Sequence, residues 1–268
     1  MRNTFDRFNG RHQDYQAARP SYAQEFLDWL GELYAPPERY TAADIGSGTG
    51  KLSAQLLAAG FRVCGVEPNP DMRGAAEALL GGDPRFSSSN GTDHDTVLPD
   101  RSVDMVAAAQ AFHWFDGPAF ARECRRILRP GGRAVLVWNV RGSAPVNQAL
   151  AQVFREHCPS FHGFTGGMGE DDPRIRDFFG GAYEKRRFPN PLTLDRDQFL
   201  RRCFSSSYAL REGDADYEAF RAALEALFDG RGMRMTDADR ERAWGHAQRD
   251  CGLCGDPRRS PGMRHFQN

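Results

Sequence analysis

Asp44-Ile45-Gly46-Ser47-Gly48-Thr49-Gly50 closes a short apolar stretch near 41–45 and opens onto the helical pattern Lys51-Leu52-Ser53-Ala54-Gln55-Leu56-Leu57. A strand running through a glycine-rich turn into a helix makes a ligand loop. Glycines on alternate positions let the backbone turn sharply and approach a ligand closely, because no Cβ stands in the way. The helix that follows points its free N–H groups and the positive end of its dipole at whatever anionic group sits there.

Two phosphate loops fail against these letters. A P-loop requires a glycine five positions before Gly50 and a hydroxyl residue after Lys51, where Ile45 and Leu52 stand. A dinucleotide fingerprint read from Gly48 meets Gly50 and then Ser53 in place of the third Gly or Ala. The loop suits a smaller anion, such as a carboxylate. With its Asp-x-Gly-x-Gly-x-Gly form, it resembles the first motif of the class I S-adenosylmethionine-dependent methyltransferases. The resemblance implies that Asp44, Gly46, Ser47, Gly48 and Gly50 hold the methionine end of the cofactor.

The next apolar run, Arg62-Val63-Cys64-Gly65-Val66, reads as a buried strand with Glu67 at its carboxyl end, where open α/β sheets bind ligands. A carboxylate there can accept both hydroxyls of a ribose, or it can cap the helix that begins near Pro70. Glu67-Pro68-Asn69-Pro70-Asp71-Met72 resembles the family's second motif, with Glu67 as the ribose acid and Met72 near the adenine; a Met at that spacing also suits a core. Ser102 to Ala109 reads as a central strand leading into Gln110-Ala111-Phe112-His113-Trp114-Phe115-Asp116. This last run resembles the methyltransferase type 11 subgroup, which includes trans-aconitate methyltransferase-like proteins. The segment with Phe5, Phe8, Tyr15, Arg19-Pro20 and Tyr22 is also similar to that subgroup, where it folds over the cofactor. It makes Tyr15 and Arg19 lid candidates, with the Arg19 guanidinium set to pair the methionyl carboxylate or an acidic substrate. Gly91-Thr92-Asp93-His94 departs from the family's usual Gly-Asp/Thr-Ala-Glu at the adenine loop, and Asp93 becomes the carboxylate there.

In a displacement at a sulfonium methyl, the protein chiefly aligns the nucleophile and excludes water. A carboxylate acceptor needs no base, whereas a hydroxyl, phenol or amine benefits from one, and His113 is the histidine at a strand's carboxyl end. Gln110 is set to bind the amino-acid end of the cofactor or to steer the acceptor, so the catalytic candidates are His113 and Gln110. The expected activity is methylation of a small molecule at a carboxylate or hydroxyl. The rivals are a protein that binds the cofactor without turnover and a nicotinamide-dependent oxidoreductase, which the incomplete fingerprint disfavours.

Alternating strands near 41–45, 62–66, 85–88, 103–109 and 133–139 with helices near 22–34, 51–59, 71–80 and 117–128 predict a doubly wound α/β domain. Its sheet is mainly parallel and Rossmann-like, with helices on both faces and a small cap inserted after strand five. Arg129-Pro130-Gly131-Gly132 is read as the stop between the fourth of these helices and strand five, Tyr183 to Phe188 as strand six, and Pro159 to Gly181 as loop or cap. The expected organisation is a lid segment over 1–36, a cofactor core over 37–140, a cap and sheet completion over 141–250, and an atypical tail over 251–268. After Phe228 no period-two apolar run signals a closing strand.

Across 268 residues the formal net charge is −1, which argues against a nucleic-acid partner. Short basic runs such as Arg201-Arg202 read as solvated faces. No apolar stretch has the length of a bilayer span, and the N-terminus has no signal-peptide core, which together predict a cytoplasmic protein. The six cysteines then read as reduced thiols, with Cys64 and Cys124 in the core. Cys251-x-x-Cys254 lacks the second ligand pair of a zinc site, so no metal is expected.

Overall fold

The computed structural model describes residues 20–140, 145–164, 168–169, 171–190 and 193–230, with the backbone alone over 248–255. Strands β1 (Thr41–Ile45), β2 (Arg62–Val66), β3 (Phe86–Ser89), β4 (Val103–Ala109) and β5 (Leu128–Val137) pair in parallel in the order β3-β2-β1-β4-β5. Helices α1 (Gln24–Leu33), α2 (Lys51–Ala58), α3 (Pro70–Leu80) and α4 (Gly117–Ile127) fall where the periodicity predicts them.

Alternation along the strands feeds two cores, one on each face of the sheet. Ala42, Val63, Met105 and Val135 meet Phe26 and Leu30 of α1 and Leu52 and Leu56 of α2. Their neighbours Ala43, Val106, Ala134 and Leu136 meet Phe120, Cys124 and Ile127 of α4. Strands buried on both faces are what a parallel sheet between helical layers requires. Polar caps fix the helix entries: the Asn69 side chain accepts from the Met72 N–H, and that of Asp116 from the Ala119 N–H. At the amino end of the sheet, Asp104 Oδ2 accepts from the Thr41 N–H at 2.9 Å and pairs with Arg129 at 2.7 Å.

Downstream, α5 (Pro145–His157), α7 (Arg196–Phe204) and α8 (Tyr217–Asp229) pack on one another, with α6 (Pro173–Phe178) against the α4 face of the sheet. Phe154, Phe199, Cys203, Phe220 and Leu224 form an aromatic-rich cluster of their own, the core of the cap. Asp195 and Gln198 form a reciprocal capping box at the start of α7.

Three expectations need correction. Strand β5 begins at Leu128 rather than near Arg133: Leu128 pairs with Val103, Arg133 with Met105, and residues 129–132 loop out as an irregularity within the strand. The loop expected over Pro159–Gly181 contains α6, whose Asp172 cap accepts from the Arg174 N–H. A closing strand does exist. Strand β7 (Gln248–Gly255) lies antiparallel between β5 and β6 (Glu184–Pro189), giving the order β3-β2-β1-β4-β5-β7-β6. Its sequence shows no period-two pattern, and its place is given by backbone pairing with β5 on one edge and β6 on the other.

Candidate functional site

The strand order reverses between β1 and β4, and the loops leaving their carboxyl ends part there to form a crevice. Gly46, Gly48 and Gly50 all have positive φ, at 69°, 56° and 81°. The reasons differ. A Cβ on Gly46 would lie 2.8 Å from the Ala111 Cβ, and one on Gly50 would lie 2.9 Å from Leu80 Cδ1, so both glycines let elements pack. At Gly48 a Cβ would meet nothing within 4 Å among the described residues and would project into open space. That space is where a ligand can lie against bare backbone. The loop is tied across to β2 through the Gly46 and Ser47 N–H groups, both donating to the Val66 carbonyl.

Two buried carboxyls flank this space. Asp44 is fully buried on β1, where Ser53 of α2 donates its hydroxyl to Oδ2 at 2.7 Å while Oδ1 has no hydrogen-bond partner among the described residues. Burial pushes its pKa from 3.8 up to about 7, against the pull of the Ser53 hydrogen bond. Glu67 follows β2 and takes the Gly48 N–H on Oε2 and the Asn69 N–H on Oε1, each at 2.9 Å. Burial raises its pKa as well, opposed by those two backbone bonds. The Glu67 carboxylate therefore joins the glycine loop to the second motif.

From this point two clefts diverge, sharing Gly46, Gly48, Ala109 and Gln110. The larger, of about 320 Å³, runs past Glu67, Met72, Asp93, Trp114 and Phe115. It brings together most of the residues expected to hold the nucleoside. Met72 is buried beneath it. Asp93 Oδ2 accepts from the Asp116 N–H at 3.1 Å, and Oδ1 lies 3.1 Å from His94 Nδ1. The Asp93 loop is anchored from below by Glu123, which accepts from both the N–H and the hydroxyl of Thr96 and pairs with Arg126. Burial works against ionisation of Glu123, yet its bonds to Arg126 and Thr96 win and hold its pKa below the usual range.

The smaller cleft runs the other way, past Asp44, Ser47 and Lys51 to Tyr22, Tyr208 and Arg202. Its roof begins with residues 20–22, which are pinned to the core. Gln55 donates to the Tyr22 carbonyl and accepts from the Tyr22 N–H, while Asn190 donates both to the Ser21 carbonyl and to Asn139 Oδ1. Tyr15 and Arg19, the lid candidates, lie outside the described residues.

Gln110 stands at the junction of the clefts with φ 56°, a left-handed conformation rare for a residue with a side chain. Its N–H donates to the Val137 carbonyl and its Nε2 to the Asn139 carbonyl, which hold the strained turn. His113 lies one helical turn away in the 3-10 helix Phe112–Trp114, its ring 4.8 Å from that of Trp114, and it lines neither cleft. The geometry thus does not support the expected base.

Arg202 is the residue the sequence reading missed. Expected on a solvated face, it is only 4% exposed, whereas its neighbour Arg201 is exposed. A usable signal was present: Phe199, Arg202, Cys203 and Ser206 follow the i, i+3, i+4, i+7 spacing of one helix face, and all four are buried. Of the cysteines, Cys124 is buried as expected, while Cys64 is half-buried beside the Ser87 hydroxyl. Cys251 and Cys254 fall on β7, whose side chains are outside the description.

Residues 43–136 match the family model described as a methyltransferase domain. An uncharacterized methyltransferase of Mycobacterium tuberculosis (strain H37Rv) is 42% identical over 127 residues, 47% of this chain and 49% of that protein, so the chain spans about half the length of that curated relative. An uncharacterized methyltransferase-like protein of Schizosaccharomyces pombe is 29% identical over 213 residues, 76% of this chain and 79% of that protein. Among solved structures, a putative type II methyltransferase from Anaeromyxobacter dehalogenans aligns with a TM-score of 0.52 at 26% identity, over 88% of this chain and 94% of that one. A putative methyltransferase from an antibiotic biosynthesis pathway of Anabaena variabilis aligns with a TM-score of 0.58 at 21% identity, over 89% and 98%, a likeness of fold.

Proposed function

Because this chain carries a class I, S-adenosylmethionine-dependent methyltransferase domain, we propose that it transfers a methyl group to a small-molecule acceptor, at a carboxylate or hydroxyl oxygen. The observation that carries the reading is the pair of buried carboxyls, Asp44 and Glu67, set on adjacent strand ends on either side of the open space at Gly48. Those features fit the cofactor: an orphaned acidic oxygen suits an α-amino group, and a backbone-anchored carboxylate suits two ribose hydroxyls.

Bound there, S-adenosylmethionine supplies an already activated methyl group. Asp44 would hold the amino end through Oδ1, with Gly46, Ser47 and Gly50 shaping the loop around it. Glu67 would accept from the ribose while keeping its grip on the Gly48 N–H. Met72 would lie under the adenine, and Asp93, already oriented by the Asp116 N–H, would accept from the exocyclic amine. Gln110, fixed by its bond to Asn139, would orient both the cofactor and the acceptor from the junction of the clefts. The aromatic rings of Tyr22, Phe164 and Tyr208 would exclude water from the smaller cleft, where the acceptor enters.

With His113 outside both linings, a carboxylate is the preferred nucleophile, since it reacts ionised and needs no base. The likeness of Gln110–Asp116 to the trans-aconitate methyltransferase-like subgroup supports a small acid. A helical cap beside the smaller cleft favours a small molecule over a macromolecule, and no helix among the described residues is long and apolar enough to cross a membrane. Calorimetric titration with S-adenosylmethionine, S-adenosylhomocysteine and NAD tests the reading, followed by an acceptor screen scored by S-adenosylhomocysteine release. Binding of the first two but not NAD, with turnover on an acid, is the expected result. Absence of binding refutes the cofactor, and binding without turnover on any acceptor refutes the enzyme.

A further inference from the structure

We infer that Arg202, contributed by the cap, is the carboxylate-binding cation of the smaller cleft. Charged side chains on helices normally reach outward into water. Arg201 does so. Arg202 instead points along the same helix face as Phe199 and Cys203, between the cap cluster and the cleft. Its fork of N–H donors can give a carboxylate two parallel bonds. The surrounding aromatic walls lower the local dielectric and strengthen such a pair.

The cleft presents charge of both signs. Asp44 lies at its floor with an oxygen that has no partner among the described residues, and Lys51 and Arg202 line it as well. A ligand bearing a carboxylate is therefore matched there, and because Arg202 belongs to α7 while Asp44 belongs to β1, such a ligand would bridge cap and core. The carboxylate has two possible sources, the amino-acid end of the cofactor and an acidic acceptor. Assigning either source rests on the methyltransferase reading; carboxylate binding by Arg202 does not.

The test uses the full chain with Arg202→Gln and Arg202→Lys, each first compared with wild type by thermal melting. Calorimetry follows S-adenosylhomocysteine and 5′-methylthioadenosine, which lacks the amino-acid end. Melting shifts are then read with glutarate and with glutaramide, its uncharged counterpart, with and without S-adenosylhomocysteine. A loss of about tenfold or more in S-adenosylhomocysteine affinity in Arg202→Gln, with methylthioadenosine unchanged, supports Arg202 and identifies the cofactor as the source. Unchanged S-adenosylhomocysteine affinity, with a glutarate-specific shift in wild type that Arg202→Gln abolishes, supports Arg202 and identifies the acceptor. Should Arg202→Gln fail to fold, Arg202→Lys decides, because it keeps the charge and loses the fork, and a weakened response of either kind supports the proposal. A folded variant with wild-type S-adenosylhomocysteine affinity and a wild-type response to glutarate, including none in either protein, overturns it. If wild type binds neither nucleoside, the methyltransferase reading has failed, and the glutarate arm on the unliganded protein alone decides Arg202.

Discussion

Replacing Glu67 with Gln isolates the carboxylate that ties the glycine loop after β1 to the segment after β2. Its two oxygens take the Gly48 and Asn69 N–H groups at 2.9 Å each in a site only 9% exposed. An amide of the same shape can accept from one of these groups, but it turns an –NH2 toward the other. A hydrogen bond to a charged group contributes about 1.5–3 kcal/mol, and the relief of burying a charge returns part of that. The expected net loss of stability is about 1–2 kcal/mol, a fall of about 2–8 °C in Tm for a chain of this size. Ligand affinity should fall further, because ribose hydroxyls lose a charged acceptor and the Gly48 backbone loses its anchor. About 1–3 kcal/mol corresponds to roughly 5- to 150-fold weaker binding of S-adenosylhomocysteine by calorimetry. Glu67→Ala, which removes both anchors, should lose more on both scales. Affinity within twofold of wild type, together with an unshifted melting curve, would refute the assignment of Glu67 to loop and ligand alike.

The buried acid on β1 should make stability depend on pH. Asp44 binds its proton more tightly folded than unfolded, so its contribution is complete below pH 3.8, is lost as pH rises toward about 7, and is level above that; the shift corresponds to about 4 kcal/mol. Asp44→Asn should flatten that part of the unfolding curve between pH 4 and 7, and an unaltered slope in urea titrations rules the idea out. In wild type, ligand binding that requires ionised Asp44 should release a proton near pH 6, seen as a dependence of the calorimetric heat on buffer; proton uptake would contradict it. The glycines should separate packing from ligand access. Gly50→Ala, with a Cβ 2.9 Å from Leu80 at positive φ, should cost about 2–4 kcal/mol of stability. Gly48→Ala should cost about 1 kcal/mol of stability yet weaken S-adenosylhomocysteine by about tenfold or more, and equal effects of the two changes on both readouts would defeat the distinction. Glu123→Ala leaves Arg126 and the Thr96 N–H without their shared acceptor and should lower stability by about 2–4 kcal/mol in urea, with an effect under 0.5 kcal/mol counting against the anchor.

Sequence reading recovered the elements whose ends are punctuated locally. Pro70 after the Asn69 cap and Pro118 after the Asp116 cap mark helix starts that coordinates and letters place alike. Errors arose where tertiary pairing overrides local signals. Pro130-Gly131-Gly132 looks like a stop, yet the strand resumes its pairing with β4 beyond it. The six residues of α6 are too few to show a period, and β7 owes its place to two neighbouring strands that lie far away in sequence.

The site divides along the same line. Asp44, Glu67, Asp93 and Gln110 all sit at or just beyond strand ends, because an open α/β sheet presents ligands to that edge, and so their positions follow once the strands are known. Tyr22, Asn139, Phe164 and Arg202 come together from the entry segment, the end of β5 and the cap, and no spacing rule links them. That separation has an energetic counterpart. The cap helices bury Phe154, Phe199 and Phe220 in a cluster distinct from the two cores on the sheet. Substitutions on the cap's cleft-facing side can therefore change what the smaller cleft admits while leaving the sheet, and with it the Glu67 and Asp93 cleft, in place. A domain built this way can keep one cofactor and vary its acceptor, and in this chain the buried Arg202 is the cap residue placed to meet a carboxylate of either.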